Sequence, residues 1–329
     1  MEHRPVPRLD RELSVIGLGC WQLGADWGQV SEERALEILA AAADAGVTFL
    51  DTADVYGDGR SESLVGRFVH GRGRAGFVVA TKMGRRADPH EAEQYTPDAL
   101  RRWNDRSREL LGDDTLDLVQ LHCPPPAVYA RDDLFDTLDE MVDEGRMKAY
   151  GVSVETADEA LSAIARPRVA TVQIILNVLR RKPLERVTGA AAEAGVGIIA
   201  RVPLASGLLT GKFDESSTFA ADDHRQFNRH GEAFDVGETF AGVPYEVGVA
   251  AAREFAAIEG AAGSTPAQRA LRWIVDQPGV TTAIPGASSP DQARANAAAA
   301  SLPPTAPEDA AAYERLYDRH AREHVHHRW

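Results

Sequence analysis

Short apolar runs alternate with helical patterns along most of this sequence. Eight of these runs are rich in Val, Ile, Leu or Phe and are bounded by polar or glycine-containing stretches, which is typical of buried strands. They predict strands at Val15–Cys20, Thr48–Ala53, Phe77–Lys82, Leu116–His122, Tyr150–Val154, Val169–Ile175, Gly197–Val202 and Val280–Ile284.

Helical patterns follow these strands, and two of them have clear end signals. Ser31 precedes a pattern with acidic residues in its first turn, and Thr96 with Pro97 begins another pattern that ends at Gly112. The predicted helices after the first six strands and after the eighth are Glu32–Ala45, Ser61–Val69, Pro97–Gly112, Leu134–Glu144, Ala157–Ala165, Leu184–Ala194 and Asp291–Ala299.

Strands that alternate with helices form parallel sheets, and eight such units favour closure into a (β/α)8 barrel. The alternative is an open doubly wound sheet. Its dinucleotide-binding form carries a GxGxxG turn after the first strand, where this chain has GLGCWQLG. We therefore predict a single (β/α)8 TIM-barrel domain over residues 1–329, with a barrel core at about 15–300 and a C-terminal helix at about 306–323.

The connection between the seventh and eighth strands is long, at about seventy residues, and exceeds what one crossover needs. It contains two helical patterns, Glu246–Ala257 and Pro266–Asp276. The polar stretch Asp214–Gly242 before them is interpreted as a loop folded over a site or as a disordered segment. The sequence after the C-terminal helix, HVHHRW, is predicted to be a frayed end.

Composition narrows the functional classes. The formal net charge of −14 at pH 7 argues against nucleic-acid binding, because phosphates attract a basic surface. No apolar run approaches the ~18 residues of a membrane span, and the first residues lack the apolar core of a signal peptide. We expect a cytoplasmic protein that acts on a small molecule without a membrane, and the sequence leaves its oligomeric state open.

The two cysteines, Cys20 and Cys123, lie at the ends of apolar strands. Free thiols in a reducing cytoplasm are their expected state. Cys123 directly follows His122, and adjacent strand residues point to opposite faces of a sheet. We therefore expect no metal site there.

Four ionisable residues lie at or just after the ends of three neighbouring predicted strands. Asp51 lies at the end of the second strand and Tyr56 on the loop that follows, while Lys82 and His122 end the third and fourth strands. Active sites of (β/α)8 barrels lie at the carboxyl ends of the strands, so we expect the four side chains to converge.

These four groups suit proton transfer to a carbonyl oxygen. An ordinary phenol has a pKa of about 10, and we expect the Lys82 ammonium to lower the pKa of Tyr56. Asp51 would hold Lys82 in place, and His122 would orient the carbonyl oxygen. No side chain donates hydride, so reduction requires a nicotinamide cofactor. The alternative is a structural Asp51–Lys82 ion pair with a hydrogen-bonded tyrosine and histidine.

Several blocks of the sequence resemble the signature of the aldo-keto reductases, in the family's order, from about Gly17 to Asn296. They are GLGCWQLG, DTADVYG, ATKMG, LVQLH, GVSV, PLASGLLTGK and IPGASSPDQARAN. The resemblance implies a (β/α)8 barrel that binds NADP(H), or NAD(H), in extended form and reduces an aldehyde or ketone. Two alternatives are an NAD-dependent sugar or alcohol dehydrogenase and a redox-sensing subunit resembling the potassium-channel β-subunits.

The resemblance also implies roles for individual residues. Ser153 and Gln173 match the positions that hold the nicotinamide carboxamide, and Val154 stands where the family usually has asparagine. The helix start near Ser289 favours the 2′-phosphate of NADP. The remaining cofactor positions are Cys20, Trp21, Asp51, Arg201, Val202, Pro203, Leu204, Ser206, Gly207, Leu208, Lys212, Pro285, Gly286, Ser288, Gln292 and Asn296, and the predicted substrate pocket comprises Trp21, Trp27 and Tyr129.

Arg201 departs from the family pattern. It stands where the family usually has an aromatic ring stacked on the nicotinamide. A guanidinium is planar and also stacks on π faces, but it carries a positive charge. A stacked Arg201 would disfavour the cationic oxidised nicotinamide relative to the neutral reduced one. The alternative is that Arg201 turns away and pairs with a loop carboxylate or a cofactor phosphate.

Overall fold

The computed structural model describes residues 1–24 and 30–329, and its centre is a sheet of eight parallel strands. A hairpin of β1 (His3–Val6) and β2 (Arg11–Ser14) precedes the barrel strands β3 (Leu18–Gly19), β4 (Phe49–Asp51), β5 (Val78–Met83), β6 (Leu116–His122), β7 (Met147–Ser153), β8 (Val169–Ile175), β9 (Gly197–Arg201) and β10 (Val280–Ala283).

The eight strands pair in chain order, and the first and last strands meet, so the sheet closes into a barrel. Gly17 N donates to Ala283 O at 2.8 Å, and Gly19 N donates to Pro285 O at 3.1 Å. The prediction of a (β/α)8 barrel is therefore confirmed, and the carboxyl ends of neighbouring strands lie together around one rim.

Helices surround the barrel, and their ends follow the predicted caps. The Thr96 hydroxyl accepts from Ala99 N at the start of one helix, and Gly112 ends it with a φ of 72°. The helices are α1 (Glu32–Asp44), α2 (Arg60–Arg72), α3 (Pro97–Leu111), α4 (Asp132–Asp143), α5 (Ala157–Ile164), α6 (Pro183–Ala194), α7 (His224–Phe227), α8 (Tyr245–Ala257), α9 (Pro266–Asp276), α10 (Pro290–Ala298), α11 (Pro307–Leu316) and α12 (Arg322–Val325). Within the described ranges, no helix combines the length and apolar character needed to cross a membrane.

The β1–β2 hairpin, which the apolar pattern did not predict, packs on the amino-terminal end of the barrel. Arg8 donates to the backbone oxygen of Val169, the first residue of β8, at 2.9 Å. Arg4 donates to the backbone oxygen of Val280, the first residue of β10, at 2.7 Å. The hairpin thus covers the end opposite to the predicted site.

The polar stretch between β9 and α8 forms short helical turns that pack onto the barrel. It includes α7 and the turns Val236–Glu238 and Phe240–Gly242. The Ser206 hydroxyl, just after β9, donates to Glu238 O at 3.2 Å and accepts from Phe240 N at 3.0 Å. Of the two interpretations of this stretch, the structure agrees with the loop folded over a site.

The C-terminal segment differs in part from its prediction. Helical backbone runs without a break through α11, a π-helical turn at Tyr317–Ala321 and α12, close to the predicted range of 306–323. The prediction of a frayed end is wrong, because Trp329 is only 6% exposed. Its indole N–H donates to Asp235 at 3.1 Å, and the Arg180 guanidinium lies 3.8 Å from its ring centre. Trp329 therefore holds part of the loop over the barrel in place.

Replacing Trp329 with alanine is expected to lower the free energy of unfolding by about 3 kcal/mol, because removal of the buried indole leaves a cavity and removes a hydrogen bond to Asp235. Urea denaturation followed by circular dichroism measures this change. His327→Ala is the matched control, because His327 is exposed and lies two residues away. Equal stability of the two variants would contradict a packed Trp329.

Candidate active site

The four ionisable residues meet at the carboxyl end of the barrel. Asp51 is the last residue of β4, Lys82 lies near the end of β5, and His122 is the last residue of β6. Tyr56 begins the short helical turn that follows β4. Parallel register places these strand ends side by side, so the fold brings together four groups that are up to 71 residues apart in sequence.

Lys82 lies at the centre of this group. Its ammonium donates to Asp51 Oδ1 at 2.5 Å, to Thr52 O at 2.8 Å and to the Tyr56 hydroxyl oxygen at 3.2 Å. Lys82 is only 1% exposed, so water does not weaken these contacts. The three donor positions of the ammonium are therefore all used, and the phenol is held against a fixed positive charge.

Asp51 is fixed by two further residues. Its Oδ2 atom accepts from Gln173 Nε2 at 2.8 Å and from Gln120 Nε2 at 3.2 Å. A carboxylate that accepts from an ammonium and two amides is oriented from both oxygens. Gln120, which the sequence analysis did not select, therefore supports the Asp51–Lys82 pair from β6.

Burial governs the acidity of the phenol. It raises the pKa of Tyr56 more than the Lys82 ammonium lowers it, so the net pKa lies above its ordinary value. Burial lowers the pKa of Lys82, but Asp51 and Tyr56 raise it by more, so its net pKa lies above the ordinary value. Lys82 thus lowers the pKa of Tyr56 as expected, but burial, which the sequence analysis did not include, reverses the net shift. Both groups hold their protons at neutral pH.

His122 faces Tyr56 edge to face, with ring centres 6.0 Å apart. Burial lowers the pKa of His122 well below its ordinary value, and the nearby charges of Arg85, Lys82 and Arg201 lower it further. The imidazole is therefore neutral and has one N–H to donate. The neutral imidazole and the protonated phenol can each donate one hydrogen bond to the same oxygen atom of a molecule bound in front of them.

Gly57, directly after Tyr56, is required by a close approach of the backbone. Its φ is +58°, and a Cβ atom at this position would lie 2.1 Å from Gly24 O. Any side chain would push apart the loops after β3 and β4. The Tyr-Gly pair therefore sets the position of the phenol.

A cavity of about 610 Å³ opens in front of Tyr56 and His122. This volume is within the range of small-molecule and cofactor sites. The predicted cofactor residues that line it are Cys20, Trp21, Asp51, Ser153, Gln173, Arg201, Val202, Pro203, Leu204, Ser206, Gly207, Lys212, Pro285, Gly286, Ser288, Gln292 and Asn296.

Two of the predicted residues that the structure describes, Leu208 and Tyr129, do not line this cavity. Leu208 is buried, and its side chain packs closely against Gly248 of α8. Tyr129 lies in a turn after β6, and its backbone oxygen accepts from Arg166 on the outside of the barrel. Trp27 lies outside the described residues.

Trp21 supplies an aromatic wall of the cavity. Its ring stacks on Tyr56 with centres 5.8 Å apart and an interplanar angle of 17°. It also lies 5.3 Å from His224 and 5.9 Å from Phe234, both on the long loop. The loop therefore completes the wall in front of the phenol.

Sequence reasoning missed the contribution of this loop and of α9. Glu238, Arg225 and Phe213 line the cavity, together with the start of α9 at Thr265, Pro266 and Ala267. The loop is rich in charged residues, but its sequence has no periodicity that shows which of them face inward. Glu238 faces the cavity because the helical turns of the loop pack on the barrel.

Arg201 pairs with loop carboxylates, which is the alternative to stacking raised by the sequence. Its guanidinium donates to Glu155 Oε2 at 2.8 Å and to Val154 O at 3.0 Å, and it lies 3.7 Å from Glu238. Arg85 donates to the same Glu238 at 2.9 Å. Val154, in the place of the family's asparagine, is buried and offers only its backbone here.

One group of possible metal ligands lies beside these charges. Atoms of Cys123, Glu155 and Glu238 lie within 4.8 Å of one another. Arg85 and Arg201 already contact the carboxylates, and burial raises the pKa of the Cys123 thiol. A cation would meet two guanidinium groups and a protonated thiol, so the chemistry of this group does not fit a metal.

The cavity wall fits a dinucleotide. Near the phenol it has the amide of Gln173 and the hydroxyl of Ser153, which suit a carboxamide. Elsewhere it has the cations Lys212 and Arg225, which suit phosphates. The start of α10 adds Ser288 and Gln292, whose side chains hydrogen-bond to each other at 2.9 Å. The wall thus has groups that suit the carboxamide and the phosphates of a nicotinamide dinucleotide.

Known proteins resemble this chain over most of its length. Aldo-keto reductase YhdN of Bacillus subtilis is 31% identical over 306 residues, which is 90% of this chain and 87% of that protein. Aldo-keto reductase yakc [NADP(+)] of Schizosaccharomyces pombe is 29% identical over 279 residues, which is 83% of this chain and 79% of that protein.

Solved structures share the fold. The glycerol dehydrogenase AKR11B4 of Gluconobacter oxydans superposes with a TM-score of 0.78 at 26% identity, covering 97% of this chain and 95% of that one. An aldo/keto reductase of Klebsiella pneumoniae, in complex with NADP and acetate, gives a TM-score of 0.67 at 25% identity, over 94% and 93% of the two chains. The sequence model described as Aldo/keto reductase family matches residues 15–318. The chain belongs to the aldo/keto reductase family and is an oxidoreductase.

Proposed function

We propose that this enzyme reduces an aldehyde or ketone to an alcohol with NADPH. The observation that carries the proposal is the hydrogen-bonded series Asp51–Lys82–Tyr56, which ends in a protonated phenol at the wall of the cavity. The names of two relatives support the choice of coenzyme, since one is described as an NADP(+) enzyme and the other was crystallised with NADP.

Each of the four residues has a distinct role in this proposal. NADPH, when bound, supplies the hydride that reaches the carbonyl carbon. Tyr56 gives its proton to the carbonyl oxygen, and the neutral His122 holds that oxygen by a second hydrogen bond. Lys82 stabilises the phenolate that remains, and Asp51 keeps Lys82 charged and in place.

The coenzyme would lie along the cavity wall. Ser153 and Gln173 would hold the carboxamide, because both are buried at strand ends next to the phenol. Lys212 and Arg225 would contact phosphates, and Ser288, Gln292 and Asn296 would contact the adenosine end. Ser288 and Gln292 lie at the start of α10, where backbone N–H groups favour a 2′-phosphate, and Asn296 lies one turn further along the helix.

Tyr56 keeps its proton at neutral pH, and a protonated phenol is the donor that reduction needs. Oxidation of a small polyol with NAD is the second candidate. It is favoured by the similarity to a glycerol dehydrogenase, whose structure superposes on 97% of this chain.

Coenzyme oxidation against a panel of aldehydes, ketones and sugars tests the proposal. We expect NADPH to be consumed with small aldehydes and to bind more tightly than NADH in calorimetric titrations. Faster polyol oxidation with NAD would favour the second candidate. Tight coenzyme binding without turnover on any substrate would instead support a redox-sensing subunit and contradict the proposal.

A further inference from the structure

Four charged side chains form a buried group beside the proposed nicotinamide site, which we call the four-charge cluster: Arg85, Glu155, Arg201 and Glu238. Arg201 lies 2.8 Å from Glu155 and 3.7 Å from Glu238, and Arg85 lies 2.9 Å from Glu238 and 3.6 Å from Glu155. Each guanidinium thus contacts both carboxylates. Arg201 is 7% exposed and Glu238 is 6% exposed, so solvent screens these charges weakly.

The cluster borders the cavity at the end where the hydride is transferred. Arg201 and Glu238 both line the wall together with Tyr56, Ser153 and Gln173. Ser153, Gln173 and Arg201 lie at or near the carboxyl ends of the consecutive strands β7, β8 and β9, and register pairs Ser153 with Gln173. The charge of Arg201 is therefore felt where the nicotinamide would lie.

An unbalanced guanidinium at this place would act on the two coenzyme forms differently. The oxidised nicotinamide is a cation, whereas the reduced ring is neutral. A nearby positive charge repels only the oxidised form, and the repulsion is large where water is excluded. Burial raises the pKa of Glu155, so the two charges of the carboxylates are both present only above that pKa. When both are ionised, they offset the two guanidiniums and remove this bias. Glu155 also holds Arg201 in one position, together with Val154 O.

We propose that Glu155 and Glu238 are positioning residues that balance the charge of Arg201, so that oxidised and reduced coenzyme bind with similar affinity. This inference rests on the proposed function, since it requires a nicotinamide coenzyme in the cavity. Its consequence is that the loop carrying Glu238 sets how readily the oxidised product leaves. A charge change in the cluster is therefore expected to alter the ratio of the NADP⁺ and NADPH affinities, rather than to weaken or strengthen both equally.

The test is a pair of variants with opposite charge. Because the two carboxylates lie within 4.8 Å and can exchange a proton, both are changed together in Glu155→Gln/Glu238→Gln. This variant leaves Arg201 unbalanced and is expected to weaken NADP⁺ binding relative to NADPH by roughly tenfold. Arg201→Gln leaves excess negative charge and is expected to change the ratio by a similar factor in the other direction.

Affinities for NADP⁺ and NADPH are measured by calorimetry at about pH 8.5, where ionised carboxylates are favoured. Glu232→Gln is the matched control, because Glu232 is an exposed glutamate on the same loop, and its ratio should equal that of the wild type. If the double variant does not fold, Arg201→Gln still decides the sign. Parallel losses of both affinities, or an unchanged ratio, overturn the charge-balance inference. Wild-type protein that binds neither coenzyme overturns the proposed function instead.

Discussion

Replacing Tyr56 with phenylalanine is expected to lower turnover about a thousandfold while coenzyme affinity stays within about twofold of the wild type. General acids contribute factors of about 10² to 10⁴, and this phenol is the proposed proton donor in the cavity. The ring itself remains, so its stacking on Trp21 at 5.8 Å and its edge contact with His122 are kept. The loss should therefore fall on kcat, with little change in the coenzyme site.

Steady-state rates, combined with fluorescence titration of NADPH, separate the two effects. Tyr129→Phe is the matched control, because it removes the hydroxyl of another buried tyrosine that does not line the described cavity wall. That variant should keep near wild-type kcat. A Tyr56→Phe enzyme with more than about one third of wild-type turnover would rule out the phenol as the proton donor.

The strands of the barrel were the most predictable elements, because their signals are local. β6 and β8 have the predicted bounds, Leu116–His122 and Val169–Ile175. Strands buried on both faces appear as continuous apolar runs, and turn residues mark their ends. Helix α3 was predictable for the same reason, because the proline at its start and the glycine at its end are local signals.

Elements that depend on distant contacts were not predictable in the same way. The β1–β2 hairpin has only four residues in each strand and is held by donors from Arg4 and Arg8 to the barrel. Trp329 follows a histidine-rich stretch, and contacts with residues such as Arg180 and Asp235, far away in sequence, order it. These contacts join residues that are far apart in sequence, so no periodic pattern near the hairpin or near Trp329 indicates them.

The electrostatics of the site divide along the same line. The approach of Lys82 to Asp51 follows from parallel strand ends, which the sequence can indicate. The sign of the Tyr56 pKa shift depends on how completely the loop and Trp21 cover the phenol, because burial outweighs the attraction of Lys82. The pairing of Arg201 likewise depends on where the loop places Glu238.

Replacing Lys82 with methionine is expected to lower carbonyl reduction by at least about a hundredfold at neutral pH. The change removes the ammonium charge that stabilises the phenolate formed when Tyr56 gives up its proton, since Lys82 Nζ lies 3.2 Å from the hydroxyl oxygen. It also leaves the buried Asp51 without its ammonium partner, which typically costs about 3 to 5 kcal/mol of stability. Stability and activity must therefore be separated.

The double variant Asp51→Asn/Lys82→Met makes that separation, because it removes both members of the buried pair. We expect it to regain much of the thermal stability lost in Lys82→Met without regaining kcat. Recovery of activity along with stability would mean that Lys82 acts only by neutralising Asp51.

The pH dependence gives an independent sign for the role of Lys82. Lys82 lowers the pKa of Tyr56, although burial outweighs it, so removing the ammonium raises that pKa further. Reduction needs the protonated phenol, and its alkaline decline should therefore move to higher pH in Lys82→Met. Oxidation of the alcohol needs the phenolate, so the rise of its rate with pH should also move to higher pH in this variant. The measurement is a pair of pH–rate profiles, one in each direction. Profiles that keep the wild-type alkaline limb in Lys82→Met would show that the limb belongs to another group and that Lys82 does not tune the phenol.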